Sequence, residues 1–228
     1  MSRTCLLYQW QEPIPYLSAW QWQKELVAER IQNHNLPDAV IALEHQPVYT
    51  LGQGAKTEFL QFSLADPTIE WHRTERGGEV TYHAPGQLVI YPILNLRYFQ
   101  PDLHWYLRQL EEVVIQTLGI YGLQGDRKKG LTGVWLGDQK VAQIGIKVSR
   151  WITMHGFAIN VDMDMAGFNR IVPCGISEYG CAQLCDFLPN ITLAEVRANC
   201  LAKLAEIFDL VFTQSPEPMN QTQNQRCK

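Results

Sequence analysis

The sequence predicts an α+β fold in a single domain, and three observations support that prediction. Strand-like runs follow one another as meanders, three helical segments interrupt them, and no linker or change of composition divides the chain. This order favours mixed sheets with flanking helices over a doubly wound parallel sheet. We expect residues 1–213 to form the domain and residues 214–228, which are polar, to form a flexible tail.

The first part of the chain predicts one helix among strands. Residues 4–10 predict an opening strand, and a helix is expected from Ser18 to about His34, after two prolines. Its apolar positions recur at helical spacing and would face the core: Trp22, Leu26 and Ile31. Its charged positions would face water: Lys24, Glu25, Glu29 and Arg30. Runs rich in β-branched and aromatic residues predict strands at 38–44, 47–51 and 68–73.

The second part predicts a hairpin, a helix, a meander and a last helix. A strand, a turn at 84–86 and the apolar run LVIYPILNL predict a β-hairpin over residues 79–96. Residues 101–118 predict an amphipathic helix that starts at Pro101 and Asp102. Residues 133–161 predict three strands, of which the first two join at the turn formed by residues 137 and 138. Thr192 is expected to cap a helix that ends near Phe208.

Composition excludes several classes of protein. A chain of 228 residues with 46% hydrophobic residues can bury a sizeable core, which argues against large-scale disorder. The net charge of −4 is too small to predict a nucleic-acid or membrane partner. No apolar run reaches the roughly 20 residues that cross a bilayer. The first residues show no export signal, so we expect a cytoplasmic location.

The cysteines predict thiols and no metal centre. In a reducing compartment a chain of this length should keep all six reduced: Cys5, Cys174, Cys181, Cys185, Cys200 and Cys227. No CxxC and no paired histidine stands at zinc-ligand spacing, so neither a metal nor another cofactor is expected. Cys181, Cys185 and Cys200 are expected to be small buried apolar residues.

One glycine-rich segment could bind a ligand. In RGGEVTYHAPGQ, residues 76–87, two glycines after an arginine would let backbone N–H groups approach an oxygen-rich group. An ordinary turn between strands is the alternative. A dinucleotide site is excluded, because no GxGxxG opens a helix there.

A cysteine and a lysine are the candidates for covalent chemistry. Cys174 stands between Pro173 and Gly175, so its sulfur could be accessible at a turn. Lys140 could favour a neighbouring thiolate, although a lysine at a strand edge is more often a solvated charge. His83 and His155 are alternative bases, unless they are hydrogen-bonded structural residues.

Taken in order, four stretches resemble the lipoyl(octanoyl) transferase family. They are EHQPVYTLG at 44–52, RGGEVTYHAPGQLVIYPILNL at 76–96, GVWLGDQKVAQIGIKVSRWITMHGFAINVDMD at 133–164 and NRIVPCGI at 169–176. The resemblance implies a fold like the catalytic domains of biotin and lipoate protein ligases. It implies transfer of an octanoyl group from acyl carrier protein to a lysine of a lipoyl domain. The implied acceptors are the lipoyl domains of 2-oxoacid dehydrogenase complexes and the glycine cleavage H protein.

The resemblance also implies roles for particular residues. Cys174 matches the nucleophile that carries the acyl thioester, and Lys140 matches the lysine that lowers its pKa. The substrate-contacting segments of the family match Arg76, Gly77, Gly78, Glu79, Val80, Thr81, Tyr82, His83, Gln143, Ile144, Gly145, Gly156, Phe157 and Ala158. Two departures stand out: Gln143 replaces a residue that is more often small, and residues 181–183 replace a hydroxyl-bearing run.

The implied reaction exchanges one thioester for another, so it should need neither ATP nor a metal. Backbone amides of Gly77, Gly78 and Gly175 are candidate oxyanion donors. Candidate walls of the acyl pocket are Val80, Tyr82, Ile144 and Phe157. A basic run at 127–129, or Lys147 with Arg150, could dock an acidic carrier protein. Two rival functions remain open, an ATP-dependent lipoate ligase on the same fold and a non-catalytic module that binds lipoyl domains.

Overall fold

The strands form two sheets in the computed structural model, which describes residues 2–172 and 179–214. In chain order they are β1 (Arg3–Gln9), β2 (Asp38–Leu43), β3 (Val48–Leu51), β4 (Trp71–Arg73), β5 (Val80–His83), β6 (Gln87–Ile93), β7 (Val134–Leu136), β8 (Gln139–Ser149), β9 (Ile152–Asn160), β10 (Gly180–Cys181) and β11 (Leu210–Gln214). The larger sheet has the order β10-β8-β9-β6-β2-β1-β11, with β7 beside β8. The smaller sheet has the order β4-β3-β5.

In the described part of the chain, three α-helices cover the larger sheet: α1 (Tyr16–Gln32), α2 (Leu103–Ile120) and α3 (Leu193–Ile207). Side chains of β2 alternate between two apolar clusters, because successive residues of a strand point to opposite faces. Val40 and Ala42 join the cluster that contains α2 and α3. Ala39, Ile41 and Leu43 join the one that contains α1. The sheet is therefore buried on both faces, and the predicted α+β fold of mixed sheets with flanking helices is confirmed.

Both predicted helix starts that depend on a local cap are confirmed. The Asp102 carboxylate accepts hydrogen bonds from the backbone N–H groups of His104 and Trp105 at the start of α2. Thr192 accepts one from the N–H of Glu195 at the start of α3. These side chains satisfy donors that a helix end leaves without intrahelical partners. The meander of β7, β8 and β9 is also confirmed.

The predicted hairpin over residues 79–96 is wrong. Both strands exist, but β5 pairs with β3 in the smaller sheet, whereas β6 pairs with β2 and β9 in the larger one. The corner between them is held from outside the two strands. The Gly86 N–H donates to Glu44 Oε2 at 2.8 Å, and the Gly86 carbonyl accepts from Val161 and Asp162. The turn therefore leads the chain from one sheet to the other.

Other expectations need correction. Arg30 was expected to face water but is buried, and its guanidinium donates to the carbonyls of Leu26 and Pro37. Only the last three residues of the strand predicted at 68–73 are extended, as β4. Strand β11 was not expected, and it pairs in parallel with β1, so that Gln214 lies opposite Leu7. Residues 215–228 lie outside the described residues, and the tail there stays a prediction.

The described helices include none with both the length and the apolar character that a membrane span requires.

Candidate functional site

A cavity of about 250 Å³ lies between the smaller sheet and the larger one. Its walls come from the segment that leads into β5, from β6, β8 and β9, and from residues 130–132 and 179–181. Most of the predicted substrate-contacting residues line it, namely Arg76, Gly78, Glu79, Val80, Thr81, His83, Gln143, Ile144, Gly145, Gly156, Phe157 and Ala158. The chain brings these residues together because β8 and β9 are adjacent and the 76–83 segment contacts β8, where the Gly77 N–H donates to the Ile146 carbonyl.

Two predicted contact residues lie outside the described lining of this cavity. The Gly77 N–H donates to the Ile146 carbonyl at 2.9 Å, so this amide already has an acceptor and cannot serve as a ready oxyanion donor. Tyr82 lies between two cavity-facing residues of β5, and its ring packs on Tyr49 and Phe168 on the opposite side. Tyr82 therefore belongs to the core of the smaller sheet and does not form an acyl wall.

Lys140 lies inside the cavity and not at a solvated strand edge, because only 5% of the residue is exposed. Its Nζ donates to the Thr132 carbonyl at 2.9 Å and lies 4.9 Å from the centroid of the Trp135 ring. The neighbouring Gly133 has a φ of 141°, and a Cβ there would lie 2.4 Å from Lys140 Cε. Glycine is thus required beside the lysine, and the buried ammonium faces an otherwise mainly apolar wall.

Cys174 and Gly175 lie outside the described residues. Among the cysteines inside them, Cys5 and Cys200 are fully buried, as expected for the latter. Burial raises the pKa of the Cys200 thiol to about 12. Cys181 and Cys185 are only partly buried, and Cys181 lies opposite Lys140 in the β8–β10 pair and lines the cavity. The expectation that Cys181 and Cys185 are small buried residues is therefore wrong.

His83 is a buried, hydrogen-bonded neutral residue. Its Nδ1 lies 2.6 Å from Gln87 Oε1, and its Nε2 lies 3.3 Å from Thr50 Oγ1. Burial, reinforced by nearby His45, lowers the pKa of His83 to about 3. Arg76 is held in the same region, because its guanidinium donates to both the hydroxyl and the carbonyl of Thr50. The side chains of His83 and Arg76 thus have structural partners within the protein.

His155 is the second buried histidine of the cavity. It has a φ of 58° within β9, and its backbone N–H donates to Gln23 Oε1 at 2.8 Å. Its Nε2 lies 3.7 Å from Glu75 Oε1, beyond hydrogen-bond distance. Burial lowers the pKa of His155, whereas the adjacent imidazole, with help from the Trp20 indole N–H, lowers the pKa of Glu75 to about 2. The ring is therefore neutral beside an ionised carboxylate at neutral pH.

Several polar atoms of the cavity have no hydrogen-bond partner among the described residues. They are both amide atoms of Gln143, the Thr81 hydroxyl, Glu79 Oε2, Trp135 Nε1 and His155 Nε2. Buried polar atoms without partners are uncommon and costly, so these positions can accept or donate hydrogen bonds to a ligand. Gln143 is the residue at which the sequence departs from the small side chain typical of the resembling family.

Within residues 2–172 and 179–214, no group of three or more His, Cys, Asp or Glu side chains is arranged to hold a metal ion.

Sequence reasoning missed part of the cavity wall. Tyr16, Val89, Tyr91 and Trp135 line it from α1, β6 and β7. Each is an apolar or aromatic residue in an otherwise ordinary pattern, so nothing in its own segment distinguishes a wall from a core position. Only Trp135 had a usable signal, because it precedes Lys140 across the predicted turn.

The basic run proposed for carrier docking is largely committed to internal ion pairs. Arg127 contacts the carboxylates of Glu111 and Glu112 at 3.0 and 2.7 Å. Lys128 contacts Asp138 at 2.7 Å. These pairs neutralise two of the three cations and anchor the segment that leads to the cavity wall at residues 130–132. The run therefore offers less free positive charge than its sequence suggests.

Comparison with known proteins gives one family. Residues 15–205 match the family described as Lipoyl protein ligase A/B catalytic domain. The chain is 58% identical over 214 residues to an Octanoyltransferase of Nostoc sp. strain PCC 7120, which covers 94% of this chain and 96% of the relative. It is 57% identical over 214 residues to an Octanoyltransferase of Nostoc punctiforme, covering 94% and 93% of the two chains.

Solved structures of low sequence identity share the fold. Lipoate-protein ligase A bound with ATP matches with a TM-score of 0.70 at 16% identity, covering 94% of this chain and 89% of that one. An archaeal bipartite lipoate protein ligase from Thermoplasma acidophilum, described with its E2 lipoyl domain, gives 0.70 at 17%, covering 94% and 87%. Biotin protein ligase from Aquifex aeolicus in complex with biotin and ATP gives 0.53 at 16%, covering 89% and 69%.

Proposed function

Since the chain belongs to the lipoyl protein ligase A/B family and, within it, to the octanoyltransferases, which are acyltransferases, we propose the following reaction for it. It takes an octanoyl group from the phosphopantetheine thioester of acyl carrier protein. It delivers the group to a lysine of a lipoyl domain, as the first step of protein lipoylation. The cytoplasmic location expected from the sequence stays a prediction.

One observation supports this chemistry more than any other: a lysine side chain buried in the wall of a mainly apolar cavity. A cation in such a place stabilises a thiolate, and an apolar wall accommodates an alkyl chain. Lys140 places a basic nitrogen against such an apolar wall, since its Nζ donates to the Thr132 carbonyl and lies beside the Trp135 ring. Neither a solvated lysine nor a purely apolar pocket would favour acyl transfer through a thiol.

The first half of the reaction is a thioester exchange. The neutral amine of Lys140 accepts the proton of the Cys174 thiol and becomes an ammonium beside the thiolate, whose sulfur attacks the octanoyl carbonyl carbon. The bond between this carbon and the pantetheine sulfur breaks, and the proton passes to the departing sulfur. One thioester replaces another, so no nucleotide is consumed.

The second half makes an amide. The lysine amine of the lipoyl domain attacks the acyl carbon, the carbon–sulfur bond to Cys174 breaks, and the proton lost by the nitrogen passes to the Cys174 sulfur, which becomes a thiol again. An amide is more stable than a thioester, which favours the forward direction. The acceptors that the sequence resemblance implies are lipoyl domains of 2-oxoacid dehydrogenase complexes and the glycine cleavage H protein.

The walls of the cavity suit the acyl tail. Val80, Ile144 and Phe157 are buried apolar residues that line it. Burial of each methylene contributes about 0.8 kcal/mol, so a chain of eight carbons can gain several kcal/mol. Chain length is therefore expected to affect binding strongly.

The test is an acylation assay without ATP. The full chain is incubated with octanoyl-acyl carrier protein, and the adduct is located by mass spectrometry. One octanoyl group on Cys174 supports the proposal, with loss of the adduct in Cys174→Ser and its retention in Cys181→Ala. An adduct that needs ATP would indicate a ligase, and binding of lipoyl domains without any adduct would indicate a non-catalytic module.

A second assay addresses the base. Lys140→Ala should slow acylation and move its pH dependence upward, because the thiolate loses the adjacent cation. Lys203→Ala is the control, since this lysine lies on α3, pairs with Glu206 and does not line the cavity. An unchanged pH profile in Lys140→Ala would move the role to His155.

A further inference from the structure

A chain of buried hydrogen bonds crosses from the smaller sheet to the larger one. It begins at the Arg76 guanidinium, whose Nε and Nη2 donate to Thr50 Oγ1 at 3.1 and 3.0 Å. Thr50 Oγ1 lies 3.3 Å from His83 Nε2, and His83 Nδ1 lies 2.6 Å from Gln87 Oε1. Because His83 ends β5 and Gln87 begins β6, this contact spans the corner between the two sheets.

The chain of hydrogen bonds continues to Ala182, which directly follows β10, the strand paired with β8 at Lys140. Gln87 Nε2 donates to Asn160 Oδ1 at 2.9 Å, and Asn160 Nδ2 donates to the Ala182 carbonyl at 2.9 Å. The Ala182 N–H in turn donates to the Lys140 carbonyl at 3.0 Å. Gln87 and Asn160 are fully buried, so water does not substitute for these contacts.

The direction of every hydrogen bond in the chain is fixed by its two ends. A guanidinium can only donate, so the Thr50 hydroxyl accepts from Arg76 and gives its own hydrogen to His83 Nε2. A carbonyl can only accept, so Asn160 must turn its Nδ2 to Ala182 and its Oδ1 to Gln87.

The same rule orients the middle of the chain. Gln87 Nε2 also donates to the Tyr82 carbonyl at 3.1 Å, which leaves its Oε1 to accept from His83 Nδ1. His83 is therefore the neutral tautomer with its hydrogen on Nδ1. No reversal of one side chain is possible without leaving a buried donor against a donor or an acceptor against an acceptor.

We propose that His83, Gln87 and Asn160 are positioning residues that hold residues 181 and 182 against Lys140 and so set the location of its ammonium in the cavity. The inference rests on the proposed function in one respect, that Lys140 acts on the acyl transfer. The chain of hydrogen bonds links the two sheets that form the cavity. At its far end the Ala182 N–H donates to the backbone carbonyl of Lys140. Thr132 and Trp135 then direct the side chain.

This role differs from that of a general base. Both ring nitrogens of His83 are engaged inside the protein, one as donor and the other as acceptor. A general base needs a free lone pair that reaches the substrate. His83 acts through its neighbours instead.

The first experiment replaces Asn160 by leucine, which has a similar size and no polar atom. Hydrogen exchange of the Ala182 amide should become faster, because the carbonyl of that residue loses its donor. Acylation of the full chain by octanoyl-acyl carrier protein should slow between about tenfold and a hundredfold, as expected for a misplaced catalytic group. Its pH profile should move upward. Thr117→Val is the matched control, since this fully buried hydroxyl donates to Val113 inside α2.

The second experiment separates the two sides of the imidazole, and it remains informative if Asn160→Leu fails to fold. In His83→Asn the amide nitrogen can replace Nδ1 and still donate to Gln87. In His83→Gln the longer amide reaches the Nε2 position and contacts Thr50, but the donor to Gln87 is lost. We expect His83→Asn to retain most of the acylation rate and His83→Gln to lose it. Equal loss in both variants would overturn the proposal and favour a base.

The outcomes keep the two proposals distinct. Faster exchange at Ala182 together with slower acylation and an upward pH profile supports positioning. Unchanged exchange, or faster exchange with an unchanged pH profile, overturns it. If the wild-type chain takes no acyl group on Cys174, the proposed function fails, and the exchange measurement still decides whether Asn160 holds Ala182.

Discussion

Two buried histidines should make the folded chain sensitive to mild acid. Burial lowers the pKa of His45 to about 4 and that of His83 to about 3, against an ordinary value of 6.5. Between these values the unfolded chain binds protons that the folded chain does not, so stability falls as the pH decreases below 6.5. His155, whose pKa is also lowered, acts in the same direction.

The magnitude follows from the size of the window. Each such histidine lowers the free energy of unfolding by about 1.4 kcal/mol for every pH unit below its ordinary pKa. Lowering the pH from 7 to 5 should therefore reduce the free energy of unfolding by about 2 kcal/mol for each histidine, and by about 4 kcal/mol for His45 and His83 together. Glu75, with its pKa lowered to about 2, loses its contribution only below its ordinary value of 4.5 and does not oppose this effect.

The assay is proton uptake during urea unfolding near pH 5.5, with unfolding free energies at pH 7 and 5 as a second measure. His45 and His83 should together give the unfolded chain about two more protons than the folded one, and His155 adds to this number. His45→Gln should remove about one of them. An uptake well below one proton in the wild-type chain would refute the argument that burial keeps these imidazoles neutral.

Three further substitutions test single features. Gly156→Ala should lower the free energy of unfolding by about 1–3 kcal/mol, since its Cβ would lie 2.2 Å from a β6 carbonyl oxygen. The control Gly119→Ala should not lower it, because a Cβ at residue 119 meets open space. Equal melting temperatures for the two variants would contradict this prediction. Arg127→Glu should lower the free energy of unfolding by roughly 2–3 kcal/mol, because the new carboxylate would face the buried Glu111. Unchanged stability with a higher apparent KM for the carrier protein would instead support a docking role for Arg127. Gln143→Leu should raise the free energy of unfolding by about 1 kcal/mol in denaturant titration, since its amide lacks partners among the described residues, and a decrease would contradict that reading.

Local patterns predicted the parts of the fold that depend on neighbours in sequence. Asp102 and Thr192 mark helix starts because a cap involves residues only two or three positions away. The meander of β7, β8 and β9 follows from one tight turn and alternating residues. The hairpin failed because the partner of β5 is set by β3, and by Glu44 holding Gly86, neither of which is visible in the 79–96 pattern.

The candidate site was predictable as a set of segments and not as an arrangement. Motif order identified 76–83, 143–145 and 156–158, and these segments do meet at the cavity. The pattern could not tell that Tyr82 faces away or that the Gly77 amide is occupied, because both depend on contacts with distant strands. Arg30 is a similar case, since carbonyls from two parts of the chain receive its guanidinium.

The pairing of β1 with β11 affects the order in which the fold can be completed during synthesis. The Ser2 hydroxyl donates to the Asp209 carboxylate, and Arg3 lies opposite Leu210, so the earliest and latest parts of the sheet are direct neighbours. A ribosome must release the chain through residue 214 before β1 can pair with β11 along the whole length of that strand. Until then the outer side of β1 exposes unpaired backbone groups, which makes this strand the place where a nascent chain most needs protection from aggregation.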